Sequence, residues 1–245
     1  RYIETVNPAD TETATLWGCH GWSPILKKLR YLDYNDVWLV PFGHAAMLGL
    51  VKRFWGLCIG KKGKRGKKKD YTFAWPARRG MAERGRQMIM TNDFDRPYRD
   101  IVSKQGNWTM EEWMRWTESF CLYVLMGCEW PTVKRTFGGR TVTYDLGDMW
   151  EKLRKALLHY MRYTDGGFTE AACDEAHRDL LSFAADAYRV FGTEFCTNNL
   201  HVLCCRLREQ ERARGHVSFA FEFWVERSIQ EMKSDTKFRT TLHPE

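Results

Sequence analysis

Val37-Trp38-Leu39-Val40-Pro41-Phe42-Gly43-His44-Ala45-Ala46-Met47-Leu48-Gly49-Leu50-Val51-Lys52-Arg53-Phe54-Trp55-Gly56-Leu57-Cys58-Ile59-Gly60 joins two hydrophobic patterns of different period. Val37 to Val40 is a short apolar run entered through Asp36 and stopped by Pro41, and it reads as a buried strand. From His44 to Ile59 the apolar residues Met47, Leu50, Val51, Phe54, Trp55 and Cys58 recur every three or four residues. That spacing predicts an amphipathic helix closing at Gly60. This strand and helix form the α/β part of a chain whose remaining patterns are mostly α.

Downstream, Pro76 suits the first turn of a helix reaching about Met90, and Thr109 with Glu112 three residues later spells a capping box for a helix to about Met126. Trp113, Trp116, Phe120 and Val124 line its inner face. The paired glycines and alternating residues of Phe137-Gly138-Gly139-Arg140-Thr141-Val142-Thr143-Tyr144 suit an extended loop or small hairpin. Long helices follow from about Leu146 to Tyr163, with Trp150, Leu153, Leu157 and Met161 inward, and from Thr169 to Phe191, carrying Leu180, Leu181, Phe183, Ala184 and Tyr188 before Gly192. A further helix spans about Thr197 to Glu211, and a last one from Glu222 to Lys233 has Phe223, Val225 and Ile229 partly buried. The opening to about Gly21 is turn-rich, and the tail from Ser234 is polar.

With 245 residues, 44% of them hydrophobic and 28% charged, and seven prolines, the chain belongs to the ordered globular class, as one large domain or two small ones. Eleven tryptophans are unusually many. No run approaches the 18 or more apolar residues of a membrane span, so no membrane partner is expected. The chain begins at Arg1 without an initiator Met, so a fragment of something longer is expected.

The net charge is +7, of which Lys61-Lys62-Gly63-Lys64-Arg65-Gly66-Lys67-Lys68-Lys69-Asp70 alone contributes +6. The basicity is therefore one flexible loop, suited to touching a polyanion at one place, to nuclear import, or to solvation alone. The eight cysteines have no disulfide-framework spacing and several lie within apolar helical patterns, which points to a reducing, intracellular compartment. There is no Cys-x-x-Cys pair to signal a zinc finger. His201 with Cys204 and Cys205 would share a helix face, and structural zinc there would draw on Cys121 or Cys128; buried thiols acting as small hydrophobes are the default. No phosphate loop, Ser/His/Asp arrangement or dinucleotide fingerprint appears, so no nucleotide cofactor is expected.

Several separated patterns together resemble CACTA-type transposases and the related Kyakuja-Dileera-Zisupton group. Pro41-Phe42-Gly43-His44 with Leu48-Gly49-Leu50-Val51-Lys52 resembles that family's strand ending in Asp-x-x-His and helix reading Leu-Gly-Val-x-Lys. Phe191-Gly192 followed by Thr197-Asn198-Asn199-Leu200-His201-Val202-Leu203 is similar to its Tyr-Gly and Thr-x-Asn-x-His-x-Leu, and Ser218-Phe219-Ala220-Phe221-Glu222 to its Ser-x-Phe-x-Phe-Glu; Gln230 and Lys233 fit the polar side of its late helix. The likeness covers roughly residues 22 to 235.

The resemblance implies a partial RNase H-like core interrupted by a large helical insertion domain. Residues 1–60 would be the core segment, 61–75 the basic loop, 76–211 the insertion and 212–245 the return to the core with the acid-bearing helix. The family implies three carboxylates holding two divalent metals, Mg²⁺ or Mn²⁺, about 3.5–4 Å apart, and strand cutting and joining on DNA by nuclear proteins that work as multimers. Matched by position, the final Glu falls on Glu222, with Glu226 as the alternative. Pro41 stands where the middle Asp belongs and has no side-chain oxygen; the nearest acid is Asp36, five residues or about 16 Å of strand earlier. The first Asp would lie upstream of Arg1. The expected residues are thus Glu222 and Asp36 for metal and catalysis, and Lys61, Lys62, Lys64, Arg65, Lys67, Lys68 and Lys69 for nucleic acid. A catalytically dead DNA-binding descendant or a helical protein-interaction module is the alternative.

Overall fold

The chain turns into helix directly after Pro41. Ala45 N donates to Pro41 O at 2.8 Å, and the first helix, α1, runs through Gly43–Val51 in π geometry and Lys52–Ile59 in α geometry. The structure, a computed structural model, describes residues 39–60, 69–90, 97–162 and 169–220 together with Ser228 and Met232. The chain divides into two compact units, Arg1–Leu39 and Val40–Glu245, and the described helices and strands all belong to the second.

The expected strand at Val37–Val40 is not formed in its described part. Leu39 is exposed and irregular, and the Val40 N–H is taken by Gln210 Oε1 at 2.5 Å, a side-chain acceptor in place of a neighbouring strand. After α1 come α2 (Trp75–Gln87), with Pro76 in its first turn, and the short α3 (Ile101–Lys104). Next is α4, built from Met110–Arg115, a π-turn at Trp116–Phe120 and Cys121–Val124. Strands β1 (Thr132–Phe137) and β2 (Arg140–Asp145) pair antiparallel from Thr132↔Asp145 to Phe137↔Arg140. Helices α5 (Leu146–Met161), α6 (Glu170–Phe191) and α7 (Asn198–Arg214) complete the bundle. The molecule is mostly helical, and this two-stranded ladder is the one sheet among the described residues.

The helix starts are set by local chemistry. Thr109 and Glu112 form the expected capping box, Asp145 accepts from Gly147 N and Asp148 N, and Thr169 and Thr197 cap α6 and α7. Each cap satisfies a backbone N–H that the first turn cannot. Helix α1 stops at Gly60, as the sequence predicts.

The core is built around the second half of α1. Phe54 stacks on Trp150 of α5 at 5.8 Å and meets Phe183 and Phe191 of α6 edge-on at 5.9 and 6.0 Å. Trp55 meets Trp116 of α4 at 5.0 Å, Trp150 at 5.1 Å and Trp130 at 5.8 Å, and lies parallel to Phe73 at 6.1 Å. Such offset and edge-to-face pairs add to the area each ring buries. At Gly49 α1 lies against α7 with no room for a side chain: a Cβ there would lie 2.3 Å from Asn199 Nδ2. Described helices on both sides of the basic run share one core.

On α6 the buried stripe is Cys173, Ala176, Leu180, Phe183, Ala187 and Val190, spaced by three and four. Leu181 and Tyr188 face out, the helical period putting Leu181 about 100° around from Leu180. The late helix falls largely outside the described residues, of which Ser228 and Met232 are helical.

Replacing Trp55 by Ala empties the centre of this ring cluster, and should lower unfolding stability by about 3–5 kcal/mol in urea denaturation. Exposed Leu122→Ala in α4 should cost under about 0.5 kcal/mol.

Candidate functional site

Residues 61–68 lie outside the described part, but the structure fixes where they leave and return. The run departs from Gly60 at the end of α1. It comes back at exposed Lys69, beyond which Phe73 N donates to Cys58 O at 2.8 Å and Thr72 N to Lys69 O at 3.1 Å. Arg78 of α2 donates to Ile59 O at 3.1 Å from the other side. The basic residues therefore belong to an excursion with both ends pinned to the core.

Asp70, immediately after Lys69, is held by Arg135 of β1 through two bonds, Nη1 to Oδ2 at 2.5 Å and Nη2 to Oδ1 at 3.1 Å. The same guanidinium donates to Val190 O at 2.9 Å, in the last turn of α6, where a cation also favours the helix dipole. Loop end, hairpin and helix end are thereby joined at one residue. By its hydrogen bonds and charge, Arg135 holds the Asp70 carboxyl below the usual carboxylate range and is itself raised by that partner.

The hairpin that receives this loop is buried at its base by Val133 and Tyr144 and exposed toward its tip. Gly138 (φ 54°) and Gly139 (φ 80°) make the turn with both central residues left-handed, the geometry that matches strand twist and that Gly adopts without a Cβ clash. Exposed Lys134 lies just before the Arg135 tie, and exposed Phe137 and Arg140 face each other beyond it next to the turn. An exposed two-stranded ribbon carrying Lys134, Arg140 and Phe137 can meet the phosphates and a groove of a nucleic acid.

A second constellation lies at the far ends of α5 and α7. His159 is in the last turn of α5, Glu211 in the last turns of α7 and fully buried, and His216 just past the α7 terminus at Gly215. His159 Nε2 is 2.9 Å from Glu211 Oε2 and His216 Nε2 is 3.7 Å from Glu211 Oε1. His216 Nε2 also lies 2.8 Å from His159 O, and His216 Nδ1 lies 2.7 Å from Ser218 Oγ. Among the described residues this is the one group of three His, Cys, Asp or Glu side chains placed to share a metal ion, their ligand atoms all within 4.8 Å of one another. Cys173 borders it, its thiol pushed up to about 12 by burial and by the Glu211 carboxylate, so it stays protonated. Nothing local in the sequence marks the group: His159 and Glu211 are 52 residues apart, and the helix ends meet only through packing.

The metal sites expected from sequence fare differently. Asp36, Glu222 and its alternative Glu226 lie outside the described residues, as do Lys61, Lys62, Lys64, Arg65, Lys67 and Lys68. Pro41 is exposed, and its carbonyl serves the first turn of α1. The thiol set for zinc is not assembled. His201 Nδ1 and Cys205 Sγ pair at 3.4 Å on the surface, while Cys204 packs against the core and burial pushes it up to about 12. Cys121 Sγ turns to Thr117 O, and Cys128 Sγ is taken by Arg84 Nη2 at 2.7 Å. The donor set that does converge is two imidazoles and one carboxylate, which could hold a metal ion; the expectation of Mg²⁺ or Mn²⁺ belongs to Asp36 and Glu222, outside the described residues.

Compared with known protein families, curated proteins and solved structures, the chain matches none.

Because the folded Asp70 carboxyl titrates below its unfolded value of about 3.9, the Arg135 pair contributes fully above that pH and its contribution is lost as pH falls through the lowered folded value. Asp70 is half exposed, so Asp70→Asn should cost no more than about 1 kcal/mol at neutral pH. Urea unfolding at a series of falling pH values should show the difference between the two forms shrinking as the folded carboxyl takes up its proton; an equal loss at every pH would separate the stability effect from the ion pair.

Proposed function

We propose that this chain is the helical part of a DNA transposase, or of a protein derived from one, and that it binds duplex DNA through the 61–69 run and the β1–β2 ribbon. The observation that carries the reading is the Asp70–Arg135 tie, which delivers the end of the basic run onto a hairpin bearing Lys134 and Arg140. The four motifs shared in order with CACTA-type and Kyakuja-Dileera-Zisupton transposases, and a helical body of the kind expected for their insertion domain, support it further. Action in the nucleus, as a multimer pairing DNA ends, goes with the same reading.

An RNase H-like core belongs to this proposal, with Glu222 and Asp36 as its carboxylates. Hard carboxylate oxygens fit Mg²⁺ or Mn²⁺, which when bound supply charge for the phosphate and an activated oxygen nucleophile. Pro41 favours a second reading, a descendant that binds DNA without cutting it. It offers no ligand where the family places an Asp, and its carbonyl is committed to the start of α1.

Fluorescence anisotropy on a duplex across about 50–200 mM salt separates the readings. The slope of log affinity against log salt should flatten by about 0.9 for each phosphate no longer neutralised, that is, by several units on replacing the seven bases of Lys61–Lys69 with Ser, and by one to two units in Lys134→Ala/Arg140→Ala. Unchanged slopes in both would remove loop and ribbon from the interface, and no DNA binding at low salt would favour a protein-interaction domain. Mg²⁺- or Mn²⁺-dependent nicking of supercoiled DNA that Glu222→Gln abolishes would establish an active centre; binding without nicking establishes the non-cutting reading.

A further inference from the structure

We propose that His159, Glu211 and His216 bind a zinc-type divalent ion, through His159 Nε2, the Glu211 carboxylate and His216 Nε2, and that the ion ties the ends of α5 and α7 to the chain leading toward Glu222. This proposal stands on the helical body alone and is independent of DNA binding.

Three observations carry it. The ligands come from three separate places, the ends of α5 and α7 and the segment after Gly215, and Glu211 and His216 are buried, so the cluster is built by the fold and not by chance proximity on a surface. Two of its edges, 2.9 Å and 3.7 Å, bracket the roughly 3.4 Å separation of ligand atoms around a tetrahedral ion with bonds of about 2.0–2.1 Å. Hydrogen bonding alone leaves it incomplete: Glu211 Oε1 and the Tyr160 hydroxyl are buried with no hydrogen-bond partner among the described residues. A carboxylate oxygen in that state is costly, and an ion on Oε1 removes the cost.

The protons can be placed. As folded, His216 Nδ1 accepts from Ser218 N at 3.2 Å and Nε2 donates to His159 O. For Nε2 to present its lone pair the ring proton moves to Nδ1, where Ser218 Oγ at 2.7 Å accepts it and Ser218 N turns away, the kind of bond that fixes the orientation of a metal-binding imidazole. The bond between His216 Nε2 and His159 O then gives way, and the remaining ligand separation, no longer than 4.8 Å, can close. Three protein ligands leave a fourth position for water.

The test uses the whole chain, stripped with a chelator and titrated with Zn²⁺ or Co²⁺ against a chromophoric competitor, with thermal unfolding measured alongside. The expected result is one equivalent bound, a melting temperature that rises with metal, and visible Co²⁺ absorption of a four-coordinate site. His216→Ala and Glu211→Gln should weaken binding by more than the ~100-fold that losing a bond behind a ligand costs at most. His201→Ala/Cys205→Ser, which removes the surface His–Cys pair, should leave it unchanged. Should Glu211→Gln not fold, the wild-type titration and His216→Ala decide. The proposal is overturned if the stripped wild type takes up neither ion and melts unchanged, or if binding survives His216→Ala and disappears with His201 and Cys205.

Discussion

The indole of Trp55 is the place where distant parts of this chain are held together. Its ring touches Phe73, Trp116, Trp130 and Trp150, which lie after the basic run, in α4, before the hairpin and in α5, while neighbouring Phe54 reaches α5 and α6. A bundle of short helices interrupted by loops has few long apolar stripes to zip together. Large rings solve this by burying much surface from a single backbone position, as Trp55, Trp108, Trp113, Trp116 and Trp150 do. The glycine at position 49 lets α1 lie close to α7, so that the helix carrying the hub is enclosed.

Because α1 is central, the basic run after it is anchored at both ends. It starts at the end of a buried helix and finishes at an aspartate clamped by Arg135, which also ties down the end of α6. Seven cations held this way repel one another, but their two ends are fixed by neutral backbone bonds and by one internal acid. The positive charge is concentrated in this one segment of the sequence, the rest of the chain being almost neutral.

At the far ends of α5 and α7 the problem is the opposite one: a carboxylate drawn fully out of water. Glu211 is tolerated there because two imidazoles approach it from separate elements. Polar groups buried at helix ends restrict which partners can meet, so this cluster also holds the turn by which the chain leaves α7 at Gly215 and reaches Ser218. The same neighbourhood keeps the Cys173 thiol protonated and inert.

Much of the helical layout was legible in the residues themselves. The Thr109–Glu112 capping box, the paired glycines of the hairpin, Gly60 at the end of α1 and the inward stripe of α5 all act within a few residues, and hydrogen bonds and periodicity of that range form wherever the chain goes. The strand read at Val37–Val40 shows the limit, because an apolar run becomes a strand only if another strand accepts its N–H, and at Val40 a glutamine of α7 does so instead. The resemblance to transposases pointed to Asp36 and Glu222, which lie outside the described residues, and helical spacing to thiols around His201, which do not converge; among the described residues the folded chain assembled His159, Glu211 and His216. What the sequence by itself determined is therefore where the helices begin and end, where the turn lies and where the positive charge is concentrated. Which side chains share a site, from the Asp70–Arg135 tie across 65 residues to the buried His–Glu–His group, was decided only by tertiary packing, since no local interaction links residues so far apart until the helices between them have found their places.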